Sequence, residues 1–309
     1  MSLQQIALDF NPWWSQSGAH APHVPPYRRR LQQVLLKQVT DFSTRRAAVL
    51  HGPRQVGKTV VLRQIAADLL GQGWPANRLA YFDFSDDRLG ASPVHPREVV
   101  SLAEEHAPSQ EPIVFLFDEA QYIEGWDRYL KQAVDASREQ RPHRYLVTGS
   151  ASLDLVRGGA ESGLGRWDEF LLEPCTFEEF LGLRSRPGER PSEVFEREPQ
   201  AFEIYLGRGG FPEYGRVEAA QVSLREVRAR LRHDIAERAV LRDLFRRGMD
   251  LTHIRDLLVY LTQASGLQLD PRKCADDLGV DKRSITGWVE LLKGASLIRE
   301  LPLKTRSPR

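Results

Sequence analysis

The chain has 309 residues, with 43 basic and 42 acidic side chains and a formal net charge of +1. So even a balance excludes a partner selected by gross charge, and a hydrophobic content of 41% is enough for a sizeable core. Two cysteines, Cys175 and Cys274, are too few for a disulfide framework and too far apart for a metal-ligand pair, which fits a reducing cytoplasm.

The length suggests about two domains. The first residues show no basic region leading into an apolar one, and no run approaches the roughly 18 apolar residues of a membrane span. A cytoplasmic chain without leader or membrane anchor is therefore expected. Residues 1–30 are expected to be an irregular lead-in, because "PWWSQSGAHAPHVPPY" is rich in Pro, Gly and Ser. A helix is predicted across "RRRLQQVLLKQVTDF". Short apolar runs then alternate with helical patterns. Strands are predicted at "RAAVLHG", "RLAYFDFS", "PIVFLFDEA", "HRYLVTGS" and "EFLLEP", with helices at "GKTVVLRQIAADLLG", "HPREVVSLAEEH" and "WDRYLKQAVDASRE". The near-continuous apolarity of "IVFLF" is the pattern of a strand covered on both faces. Strand–helix alternation predicts an α/β fold, a parallel sheet with helices on both faces, over residues 31–185. The polar, Pro-rich "RSRPGERPSEVFEREPQ" marks a joint. Residues 186–250 then read as a helical lid or linker, and 251–309 as a winged-helix-like module.

Gly52-Pro53-Arg54-Gln55-Val56-Gly57-Lys58-Thr59 matches the P-loop pattern, and it stands between a predicted strand and a predicted helix as that motif requires. Backbone N–H groups of such a loop wrap phosphates, so glycine is needed where the chain comes close or takes positive φ. The following helix, from Lys58 through Val60, turns its positive end to the anion. Lys58 is expected to reach the β and γ phosphates of a nucleoside triphosphate, and Thr59 to offer its hydroxyl to Mg²⁺.

The third strand ends in Asp118-Glu119. Ligands in open α/β sheets bind beyond the carboxyl ends of the strands, so this pair should share an edge with the loop. Asp118 is expected to hold Mg²⁺ through water, and Glu119 to orient the attacking water. The next strand ends in Thr148 and Ser150, either of which could sense the γ-phosphate, with Ser150 taken as the candidate nucleotide contact.

The order "GPRQVGKT", "YFDFSDDRL", "DEAQYIEGWDRYLK", "VTGSASLDL", "GLGRWDEFLLEPCTFEEFL", "GGFPE" resembles a family of prokaryotic AAA-type ATPases with a C-terminal domain that is often nuclease-like. The resemblance covers residues 30 to about 300. It implies ATP as the nucleotide, a winged-helix segment, and Arg166 of "GLGR" as a candidate arginine finger that either its own or another subunit could use, and a homo-oligomer is expected. Arg208, beside "GGFPE", is a second candidate nucleotide-sensing arginine. Members commonly continue past "LIRELPL" with a further domain. The sequence here ends at "KTRSPR", and no nuclease activity is carried over.

"DPRKCADDLGVDKRSITGWVELLKGASLIRELPL" has the layout helix, tight turn, helix, strand. A second helix capped by Asp281 would present Lys282, Arg283, Ser284 and Thr286 to a DNA major groove. The charge there is balanced, which leaves open a packing or protein-docking role. The basic "REVRARLRHDIAERAVLRDLFRR" alternates in sign and reads as a solvated helix face. Three functions remain in view: an ATPase coupled to DNA, a slowly hydrolysing assembly switch, and a phosphotransferase. The Glu beside Asp118 disfavours the last, because it suits activation of water.

Overall fold

A computed structural model describes residues 2–15, 21–90, 95–107, 111–123, 125–136, 142–149, 165–216, 222–231, 233, 251–263, 268–294 and 297–301. The five strands are β1 (Ala47–His51), β2 (Leu79–Asp83), β3 (Val114–Asp118), β4 (Arg144–Gly149) and β5 (Trp167–Leu171). All pair in parallel, in the order β2-β3-β4-β1-β5. The long apolar runs are explained by two cores. Leu50, Leu116 and Leu146 face helices α2 (Arg30–Thr40) and α3 (Lys58–Gly71), through Leu35, Leu62 and Ile65. Val49, Phe115 and Val147 point to the other face. There they meet Ile6 of α1 (Leu3–Phe10), Val99 of α5 (Pro96–His106) and Leu130 of α6 (Trp126–Ala136), while α4 is the short turn Asp87–Gly90. The alternation of side chains along each strand thus buries both faces.

Past the sheet the described chain is helical: α7 (Phe177–Leu183), α8 (Pro191–Arg197), α9 (Ala201–Arg208), α10 (Pro212–Gly215) and α11 (Leu224–Leu231). A separate small core, containing Ile254, Leu257, Cys274, Ile285 and Leu292, joins α12 (Leu251–Gln263), α13 (Pro271–Leu278) and α14 (Lys282–Gly294). Gly279 turns between α13 and α14 at φ 66°, and Asp281 accepts hydrogen bonds from the N–H groups of Arg283 (2.8 Å) and Ser284 (3.0 Å). No helix among the described residues is long and apolar enough to cross a membrane.

Two expectations are corrected. The strand expected at "LIRELPL" is not formed by described residues 297–301. The Leu297 N–H instead returns to the Leu292 carbonyl (3.0 Å), and Arg299 then pairs with Glu173 (2.9 Å), beyond the end of β5. Nor is the lead-in irregular throughout. Residues Leu3–Phe10 form α1, and Pro12–Trp14 a 3-10 turn. The reason is tertiary, because β2 is an edge strand and this segment covers it. Buried Asn11 mimics a strand neighbour: its Oδ1 accepts from the Tyr81 N–H (2.7 Å) and its Nδ2 donates to the Tyr81 carbonyl (3.0 Å). The indole N–H groups of Trp13 and Trp14 both donate to the Leu79 carbonyl (2.9 and 2.8 Å). Covering an edge in this way removes a template for foreign strands.

Asn11→Ala strands two buried backbone groups of Tyr81, and should lower the unfolding free energy by about 2 kcal/mol. Denaturant titration checks this. A midpoint equal to that of the wild-type chain would show that the edge does not depend on the segment.

Candidate functional site

The loop after β1 has the backbone of an anion cradle. Gly52 takes φ 149°, and a Cβ there would lie 2.3 Å from the Leu172 carbonyl oxygen, so only glycine passes. Gln55 (φ 60°) and Gly57 (φ 101°) are left-handed and flank Val56, which is not among the positive-φ residues. Alternating handedness of this kind turns successive N–H groups toward one point. A left-handed glutamine costs of order 1 kcal/mol, strain that persists where surrounding structure imposes it. Gly57 is the N-cap of α3, whose first turn carries Lys58, Thr59 and Val60. Lys58 is buried, and its Nζ donates to the carbonyls of Gly52 (2.8 Å) and Pro53 (2.9 Å), which folds it back over the loop.

Asp118 is completely buried at the end of β3. Thr148 of β4 donates to its Oδ1, the Tyr81 hydroxyl of β2 donates to its Oδ2 (3.1 Å), and the Thr59 hydroxyl of α3 also bonds it. Burial pushes this carboxyl up. The hydroxyl bonds of Thr148 and Thr59 act the other way, and the neighbouring charges of Glu119 and Asp83 add to the rise. Thr148 also accepts the Glu119 N–H (3.0 Å), so one hydroxyl joins both acids. Glu119 is left-handed (φ 54°), which turns it out of the strand line, and Gln121 donates to its Oε2. Because β4 lies between β1 and β3, Thr148 stands between the cradle strand and the acidic pair. Ser150 lies outside the described residues.

Arg166 is placed elsewhere. It immediately precedes β5, and its carbonyl accepts the Ala47 N–H (2.9 Å) at the start of β1. The cradle begins after the far end of that strand, roughly 16 Å away at a strand's rise per residue. Its guanidinium bonds Asp135 of α6 (3.0 and 3.1 Å). Arg166 is therefore not part of its own chain's cradle. Arg208 is buried at the end of α9 and donates to the Val222 carbonyl (2.8 Å). The segment that follows it comes near the cradle: Pro212 Cγ lies 3.9 Å from where a Cβ on Gly57 would stand.

Several site residues were not found by sequence reasoning. Tyr81 holds Asp118. Arg63 stacks on the Tyr81 ring (5.8 Å to its centroid). Asp83 is in register with Asp118 across β2 and β3, and accepts from the Ser85 N–H (2.9 Å). Arg29 donates to the Val56 carbonyl (3.3 Å) from behind the loop. The one available signal was that "YFD" and "LFD" both end in Asp, which is what two parallel neighbours ending at one edge would show.

The chain's relatives fit this geometry. Residues 44–181 match the family described as AAA domain, and residues 199–308 a family described as domain of unknown function, DUF8612. An uncharacterized protein of Haemophilus influenzae is 29% identical over 276 residues. That match takes in 86% of this chain, which spans 64% of the relative's length. Among solved structures, the Aeropyrum pernix ORC2 protein, in ADPNP and ADP complexes, is similar with a TM-score of 0.53 at 12% identity. The match covers 94% of this chain and 90% of that one, and at this identity it shows the fold. Loop, sheet order and family match agree on an AAA domain with a P-loop over residues 44–181, followed by residues 199–308 that match a domain family of unknown function.

Proposed function

We propose that the chain binds ATP with Mg²⁺ in the Gly52–Val60 cradle and hydrolyses it. The observation that carries this is the hydroxyl network on Asp118: it brings the residue after Lys58, the end of β3 and the end of β4 to one point beside the cradle. The residues suit Mg²⁺, since a threonine hydroxyl and a carboxylate are hard oxygen donors. No cluster of three or more His, Cys, Asp or Glu side chains offers another metal site among the described residues. Thr59 would hold the ion directly and Asp118 through water. When bound, the ion would neutralise charge on the β and γ phosphates.

Each protein group then has a role. Loop N–H groups and the α3 N-terminus bind and orient the phosphates. Lys58 exchanges its two carbonyl partners for phosphate oxygens. Glu119 accepts a hydrogen bond from the attacking water and aligns it, and Thr148 holds the Glu119 backbone in place. Phosphoryl transfer is catalysed mainly by such positioning and by charge. Arg166, at the opposite edge of the sheet, would complete the site of a neighbouring copy, which makes the active form an oligomer.

We assign the output of hydrolysis to the C-terminal module, with DNA as its ligand and α14 as the reading helix. Lys282, Arg283 and Thr286 are exposed on α14, while Ile285 is buried. The Ser284 N–H is tied to Asp281 (3.0 Å). The assembly-switch reading, in which α14 docks a protein, draws on the even charge of residues 270–293, which hold five basic and five acidic side chains.

Mg²⁺-dependent phosphate release should fall at least about a hundredfold in Lys58→Ala and in Glu119→Gln, and Glu119→Gln should still bind ATP. Wild-type protein that is folded yet releases no phosphate, with or without DNA, would refute the hydrolysis. Arg166→Ala should be nearly inactive alone and regain activity on mixing with Lys58→Ala, because the mixed interface has one intact cradle and one intact Arg166. No recovery on mixing would remove the finger from the mechanism. Binding to duplex DNA should steepen with falling salt and weaken in Lys282→Ala/Arg283→Ala. Assembly with ATP but no DNA affinity at any salt would favour the switch.

A further inference from the structure

The motif "TFEEFL" has no role in the chemistry above, yet it faces the cradle through one side chain. Thr176 and Glu179 form a capping box at the start of α7: the Thr176 hydroxyl accepts the Glu179 N–H (3.2 Å), and Glu179 Oε2 accepts the Thr176 N–H (3.1 Å). The same Glu179 carboxylate takes a two-pronged contact from Arg29, Nε to Oε1 (3.0 Å) and Nη2 to Oε2 (2.7 Å). The guanidinium is buried and makes two further bonds, Nη2 to the Glu173 carbonyl (2.8 Å) and Nη1 to the Val56 carbonyl (3.3 Å). Residues around it are tied down as well. Arg28 pairs with Asp68 of α3 (2.7 Å), and Gln64 of α3 donates to the carbonyls of Pro25 (3.0 Å) and Tyr27 (2.7 Å).

The bond to Val56 matters because of peptide geometry. In a planar trans peptide the C=O of one residue and the N–H of the next point in opposite directions. A Val56 carbonyl held against Arg29 therefore turns the Gly57 N–H away from Arg29. That N–H lies in the left-handed stretch where loop donors converge, one residue before α3. We infer that Arg29, held by the Glu179 carboxylate, is a positioning residue of the phosphate cradle: it fixes the Val56–Gly57 peptide so that its N–H is presented to the β-phosphate. The inference rests on the nucleotide-binding reading above. A lysine cannot replace Arg29, since one ammonium lacks the fork that spans Glu179, Glu173 and Val56 together.

The test is titration of full-length protein with a fluorescent ADP, together with steady-state ATP hydrolysis, for wild type, Arg29→Ala and Arg29→Lys. Both variants should raise the Kd for ADP and the KM for ATP about tenfold, the scale of one lost charge-assisted hydrogen bond, while kcat changes less than about threefold, since the β-phosphate contact is common to ground and transition states. Arg29→Lys keeps a positive charge beside Glu179 and should melt close to wild type. If Arg29→Ala does not fold, Arg29→Lys decides. A side chain that only supports the fold would lower the melting temperature and the active fraction and leave the Kd of the folded protein unchanged. That result, or a loss confined to kcat, overturns the inference. Wild-type protein without ADP affinity would instead refute the nucleotide reading, a result distinguishable from equal affinities in wild type and variants.

Discussion

The site depends on one buried carboxyl group. Asp118 has no exposure to solvent, and it takes hydroxyl donors from three elements: Thr59 on α3, Tyr81 on β2 and Thr148 on β4. A lone carboxylate would be expensive in such a place. Hydroxyls offset part of that cost without cancelling the charge, and because each comes from a different element, the group is also a geometric lock. Burial still dominates and pushes the carboxyl up, which leaves an oxygen-rich point able to gain from a cation nearby. Thr59 directly follows Lys58 at the helical end of the cradle, so the lock ties the loop to the end of β3.

Much of the scaffolding that holds this point comes from residues before the first strand. Asn11, Trp13 and Trp14 complete the exposed side of β2, which carries Tyr81 and Asp83. Residues 25–32 grip α3 from outside, where Arg28 and Gln32 both reach Asp68 (2.7 and 2.8 Å). Tyr27 sits so close to Gly182 that a Cβ there would be 2.0 Å from the ring. The segment is therefore pinned between α3 and α7. Loop, first helix and the exit from β5 behave as one packed unit, and small shifts at one part are felt at the others because dense interiors transmit strain.

The C-terminal module meets this unit at the cradle's rim. A cleft of about 590 Å³ is lined by Pro53 of the loop, by Leu171 and Glu173 at the end of β5, and by Leu297, Ile298 and Arg299. Glu173 takes part in two contacts. Its carbonyl accepts from Arg29 behind the loop (2.8 Å), and its carboxylate pairs with Arg299 (2.9 Å). The ion pair is exposed on both sides and contributes little to stability. Its place next to Pro53 nevertheless puts the module within contact of the loop after β1.

Taken alone, the sequence determined what is local. The turn at Gly52–Gly57 between a strand and a helix was legible from its glycine spacing, and Asp118-Glu119 as the acidic end of an apolar strand, because both are patterns of neighbouring residues. The five strands and both helix layers were legible for a similar reason, since a sheet buried on two faces leaves continuous apolar runs. Tertiary structure decided whatever depends on partners distant in the chain. Arg29 reaches Glu179 across 150 positions, and Tyr81 reaches Asp118 across 37, so neither pair leaves a mark in its own neighbourhood. Residues 3–14 are ordered by a strand edge that exists only once the sheet has formed, and Leu297 closes onto its own helix in place of a strand. Short-range pattern reports what a segment can bury, while the identity of the group that satisfies a buried polar atom is settled only when the chain has folded around it.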